Sequence, residues 1–114
     1  MRWLLVLALA LGCKKKSEEP KATPIEQLSP AETQRSKDAC KAYVEQVCAC
    51  AEKVAAVKAQ CDRAPALPEA IRINLEVAAS PDSKPDVVKR VLEGVRETAK
   101  ECIEQTAKLP TLGC

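Results

Sequence analysis

Apolar residues recur at helical spacing in three stretches of this chain. In the first, Cys40, Tyr43, Val44, Val47, Ala51, Val54 and Ala55 share one face at about 100° per residue. Lys41, Glu45, Glu52, Lys53 and Gln60 take the other side. Cys48 and Cys50 flank the apolar stripe, one at each edge, and Cys61 lies close to it. The stretch is preceded by Ser29-Pro30-Ala31-Glu32, a capping box with Ser at N-cap, Pro at N1 and Glu at N3. A first helix is therefore predicted from Pro30 to Cys61, with Thr33 to Asp38 polar enough to fray. Asp62 to Pro68 breaks it, punctuated by Pro65 and Pro68.

A second helix is predicted from Pro68 to Ala79, with Leu67, Ile71, Leu75, Ala78 and Ala79 inward and Ile73 and Val77 on another side. Such a helix would be covered on two faces. Ser80 to Pro85 is the next break, and Ser83 with Asp86 three residues later opens a third helix. Val87, Val88, Val91, Leu92, Val95, Ala99, Cys102, Ile103, Thr106 and Leu109 form its broad stripe. Arg90, Glu93, Arg96, Glu97, Lys100, Glu101, Glu104 and Lys108 make a solvated face. Gly94 lies mid-helix, where it costs about 1 kcal/mol against Ala, and a close helix–helix approach accounts for it. Pro110 ends the helix, and Thr111 to Cys114 is a tail that can fold back. The sum is all-α: a small three-helix bundle over residues 29–114, stapled by disulfides.

The N-terminus has a different grain. Arg2 supplies a positive start, and Trp3 to Leu11 is an uncharged apolar run, short of the roughly 20 residues a membrane span needs. Leu9-Ala10-Leu11-Gly12-Cys13 resembles the lipobox of bacterial lipoproteins. The resemblance implies a signal peptide over residues 1–12. It also implies diacylglycerol on the Cys13 sulfur, cleavage before Cys13 and acylation of the new amino group. The alternative is an ordinary secretory signal cut at Ala8-Leu9-Ala10, giving a secreted or soluble periplasmic protein. Residues 13–28 read as a tether, rich in Lys, Glu and Pro, with an r.m.s. span of roughly 20–25 Å. Lys14, Lys15 and Lys16 would sit at the lipid headgroups or simply keep the tether solvated. Lys14 stands where enterobacterial lipoproteins retained at the inner membrane carry Asp, so the outer membrane, facing the periplasm, is the expected address.

Composition narrows the chemistry. The 114 residues contain no Phe and no His, and Tyr43 is the sole aromatic residue beyond Trp3. A core of Ala, Val and Leu buries little area per side chain, so a domain of this size is marginal without staples. With Cys13 set aside, six cysteines remain, Cys40, Cys48, Cys50, Cys61, Cys102 and Cys114, an even number that fits three bridges. A net charge of +2 offers no electrostatic support for nucleic-acid binding. The absence of His removes the commonest general base, and three glycines cannot build a phosphate loop. No catalytic residue, cofactor or metal site is assigned, and the protein partner is unknown.

Two questions stay open at this level. In a strand or loop, Cys48-Ala49-Cys50 can grip Cu(I) or Zn(II), whereas on a helix the two side chains diverge by about 200° and cannot share an ion. The working reading is a lipid-anchored, non-catalytic binding or structural module; the alternative is a thiol-based metal-binding or redox protein of the periplasm. The second question is pairing. On a straight helix Cys40 and Cys48 lie about 12 Å apart, and Cys50 and Cys61 about 16 Å, beyond the roughly 7 Å a disulfide allows. Either the helix bends near Cys48 to Ala51, so that Cys40 meets Cys61 while Cys48 and Cys50 take Cys102 and Cys114, or it stays straight with two bridges. The absence of Gly and Pro from Val47 to Val57 favours the straight helix; the even count and thin core favour three bridges.

Overall fold

A computed structural model of the chain describes residues 28–114. The predicted signal peptide, Cys13 and the tether up to residue 27 lie outside the described residues. Three long helices and one short one make up the fold: α1 (Pro30–Ala51), α2 (Lys58–Arg63), α3 (Ala66–Ala79) and α4 (Pro85–Lys108). Single 3-10 turns at Ala55–Val57 and Leu109–Leu112 complete it, and no strand occurs among the described residues. The all-α, disulfide-stapled bundle is the architecture the periodicity implies.

The capping box at the start of α1 forms on its Ser29 side, with the Glu32 N–H donating to Ser29 Oγ at 3.0 Å. The predicted fraying from Thr33 to Asp38 is not seen. Those residues are regular helix, held by Gln34 Nε2 on Asp38 Oδ1 at 2.9 Å and by buried Ser36, whose hydroxyl donates to the Glu32 carbonyl. The other end departs further from expectation. The first helix stops at Ala51, ten residues before Cys61. Lys53 and Val54 N–H groups both turn back to the Cys50 carbonyl, and Val54 adopts extended geometry. Neither Gly nor Pro makes this turn. What stabilises it is tertiary: Val57 is 1 % exposed, and Cys61 is carried back to Cys48 with Cα atoms 4.7 Å apart. On a continuous helix the same two residues would be about 20 Å apart.

The predicted break from Asp62 to Pro68 is correspondingly shorter. Residues up to Arg63 belong to α2, and α3 is already helical at Ala66. Ser83 does not cap α4. Lys84 holds that position with Pro85 following it, and the Ser83 hydroxyl instead donates to the Val77 carbonyl at 2.6 Å, tying the α3–α4 turn to α3.

Three cross-links set the direction of the helices. Glu32 meets Arg96, Cys40 meets Cys102 and Cys50 meets Cys114, so α1 and α4 run parallel. The short α3 returns antiparallel between their ends. Both α1 and α3 pack chiefly on α4 and much less on each other. The core is Cys40, Tyr43 and Val47 of α1, Ile71 of α3, and Leu92, Val95 and Cys102 of α4, closed by Val57, Ala64 and Leu109. Ile103, placed in the α4 stripe by its spacing, is 60 % exposed, and Ile73 of α3 is 45 % exposed, so neither is covered. Gly94 of α4 faces the Asn74 side chain of α3. A Cβ there would lie 2.8 Å from the Asn74 amide nitrogen.

Candidate functional site

All six domain cysteines are paired: Cys40–Cys102, Cys48–Cys61 and Cys50–Cys114, with Cα separations of 5.0, 4.7 and 5.5 Å. The three-bridge outcome and the bend beside Cys50 are found, but the expected Cys40–Cys61 pairing is not. Cys40 lies in the middle of α1 on the face turned to α4, while Cys61 lies beyond the reversal and can reach only the end of the helix. Cys48 and Cys50 both stay on α1, so the divergence of about 200° sends one towards α2 and the other towards the C-terminal tail. Thiolate ligation at Cys48-Ala49-Cys50 would need sulfurs that are here engaged in two separate disulfides. Among the described residues no three His, Cys, Asp or Glu side chains group as metal ligands.

The bridges differ in their surroundings. Cys40 and Cys102 are fully buried, and Cys48 and Cys61 are half-buried. Cys50 is buried but its partner Cys114, the last residue, is exposed. The tail reaches Cys50 because Gly113 takes φ +100°, a left-handed conformation open to glycine, and the Cys114 N–H donates to the Leu109 carbonyl at 3.1 Å.

The open side of the bundle lies between α1 and α3. Because both helices lean on α4, they part on the opposite side and leave a groove of about 500 Å³. Val44, Ile71, Pro65 and Pro68 line it, with almost no polar surface. Lys37, Lys41 and Glu45 of α1 stand on one rim and Arg72 of α3 on the other. Arg72 is already committed, at 2.5 Å to Glu76 and 2.5 Å to Glu69. These carboxylates hold the Arg72 guanidinium above its ordinary pKa, and Arg72 holds Glu69 below its own. Among the described residues no salt bridge engages Lys37 or Lys41. The charged rim is therefore lopsided, with two cations outside any salt bridge on α1 and, on α3, a cation already paired with two carboxylates.

A second recess, of about 340 Å³, is polar. It is bounded by Tyr43, Gln60, Arg63, Glu101 and Gln105. Burial, together with nearby Glu101, raises the Tyr43 phenol above its usual pKa against the opposing pull of Arg63. The Gln60 side-chain oxygen is buried there without a hydrogen-bond partner among the described residues. Away from both recesses, Arg96 Nε donates to Glu32 Oε2 at 2.9 Å across α1 and α4. That hydrogen bond is the main reason the Glu32 carboxyl is held below the ordinary range.

The groove was only half legible. Val44 and Ile71 are assigned inner faces by their spacing, but Lys41 is assigned to the opposite side of its helix and Lys37 falls in the stretch expected to fray. Nothing local to either helix signals that the two faces are left apart. No protein-family model matches the chain, and no curated protein or solved structure is significantly similar to it. No described helix is long and apolar enough to cross a membrane.

Proposed function

We propose that this chain is a lipid-anchored helical module of the bacterial cell envelope that acts by binding, with no catalytic step. Its anchor is the acylated Cys13, and its address is the periplasmic face of the outer membrane. The observation that supports this reading is the completeness of cysteine pairing in the domain. Six cysteines close on one another, so Cys13 is the one cysteine outside those three pairs, and it follows an apolar run and Gly12. Three disulfides also suit an oxidising compartment outside the cytoplasm. Two or three acyl chains hold firmly where one is marginal, at about 0.8 kcal/mol per buried CH₂. The binding half of the reading is supported by the open apolar groove, which a purely structural module would have no reason to leave uncovered.

The test is processing. The wild type is expected to partition into detergent and to carry an acyl mass on an N-terminal peptide beginning at Cys13. Cys13→Ser is expected to stay unprocessed by the lipoprotein pathway, or to be cut after Ala10 and released. An unmodified mature N-terminus at Leu11 on a soluble wild-type protein would refute the anchor.

A further inference from the structure

We infer that the groove between α1 and α3 holds the aliphatic tail of a medium-chain alkyl carboxylate, with its head at Lys37 and Lys41. The inference deepens the binding reading given above and does not depend on the anchor.

The walls decide the tail. Val44, Ile71, Pro65 and Pro68 present carbon, and both flanking segments are helical, so their backbone N–H and C=O groups are already paired within the helices. An extended peptide would find no backbone partner there. An aliphatic chain needs none. From Lys37 to Glu45 the α1 rim runs eight residues, about 12 Å of helix. That length and the 500 Å³ volume suit one flexible chain. They are small for a whole helix, whose diameter with side chains is about 10–12 Å.

The rims decide the head. Lys37 and Lys41 stand one turn apart on the same side, and their own stems extend the apolar wall beneath the ammonium groups. Across the groove, Arg72 is already paired with Glu69 and Glu76 and so offers an anion less than a free cation would, and Glu45 closes the far end of the α1 rim. An anion is therefore drawn to the Lys37 and Lys41 stretch of the α1 rim and repelled from its Glu45 end. A cationic head would be placed the opposite way.

The isoleucines provide the readout. Ile71 is 1 % exposed at the groove floor, whereas Ile73 and Ile103 are open to solvent elsewhere on the described surface. The oxidised full chain carrying Cys13→Ser, free of acyl chains, is labelled at isoleucine methyl groups. It is titrated with decanoate or decylammonium below the micelle concentration, or with decanol below its solubility limit. Decanoate is expected to shift the Ile71 methyl signal saturably and leave Ile73 and Ile103 in place, while decylammonium has no saturable effect. Lys37→Gln with Lys41→Gln should weaken decanoate binding about fivefold to tenfold, two exposed charge pairs' worth. Val44→Glu should block the shift while the circular dichroism stays helical. Equal response to all three head groups would overturn the assignment of the head. No response at Ile71 would overturn the site. An Ile71 shift that tracks protein concentration without any amphiphile would seat a second copy in the groove and overturn it as well. Since this chain is unacylated, each result stands apart from the outcome at Cys13.

Discussion

Two of the disulfides permit an experiment that separates chain topology from packing. Cys40–Cys102 and Cys50–Cys114 span 62 and 64 residues, and each alone would lower the entropy of the unfolded chain by about 4.3 kcal/mol at 25 °C. They are not independent. With either bridge closed, the other closes a loop of only about 23 residues, from Cys40 to Cys50 and back from Cys114 to Cys102, and contributes about 3.4 kcal/mol. That loop is the same whichever bridge is removed. The double mutants Cys40→Ala/Cys102→Ala and Cys50→Ala/Cys114→Ala therefore have matched topological costs. They differ in the folded state. Both sulfurs of the first pair are fully buried, whereas Cys114 is exposed. Removing two buried sulfurs leaves small cavities, at about 1 kcal/mol for each atom of this size. Cys50 is buried too, so the mutants differ by one buried sulfur, and the inner one is expected to be less stable than the outer by about 1 kcal/mol. A domain of this size has only about 5 kcal/mol of stability, so urea midpoints are best read in trimethylamine N-oxide, which favours the folded chain. Equal midpoints at equal m-values would refute the argument that burial of Cys40–Cys102 adds to its loop closure. A more stable inner mutant would mean that the bridge strains the core.

Three further outcomes follow from the same geometry. Limited treatment with a mild thiol should open Cys50–Cys114 first, because Cys114 is an exposed residue, and Cys40–Cys102, whose residues are both fully buried, last; mass mapping of alkylated cysteines checks the order. Arg96 holds Glu32 below the unfolded value of about 4.3, so its contribution is present above that pH and is lost as pH falls through the lower folded value. Glu32→Gln should accordingly be less stable than wild type at neutral pH and nearly equal to it in strong acid, by urea midpoint. Gly94→Ala should gain about 1 kcal/mol of helix propensity in an Asn74→Ala background and less in wild type, where the added Cβ must push the Asn74 amide aside. Equal gains in the two backgrounds would show that Asn74 does not limit that contact.

The sequence by itself determined the parts of this protein that depend on neighbours a few residues away. Ser29 and Pro30 open α1, the period of Val88, Leu92, Val95, Ala99 and Cys102 gives α4 its inner face, and Gly94 marks a close approach. Caps, turns and helical faces are local quantities, so spacing and residue type suffice to read them. The end of α1 at Ala51 was legible only as one of two outcomes of the cysteine count, since Val54 to Val57 carries no residue that forbids a helix. That run leaves the helix because Val57 and Cys61 are better buried and bonded against the end of α1 than in a solvent-facing continuation. Which cysteines pair was likewise a tertiary decision. Cys40 belongs to Cys102 because α1 and α4 run parallel with those faces together, and Cys61 is left to Cys48 by the reversal. The groove, too, appears only when the helices are assembled. Val44 and Ile71 are inward residues by their period, and they line an opening because α1 and α3 share α4 as a common support and part on its far side. A helix's pattern says which face seeks cover, but the way the helices lean on one another decides whether that face is covered.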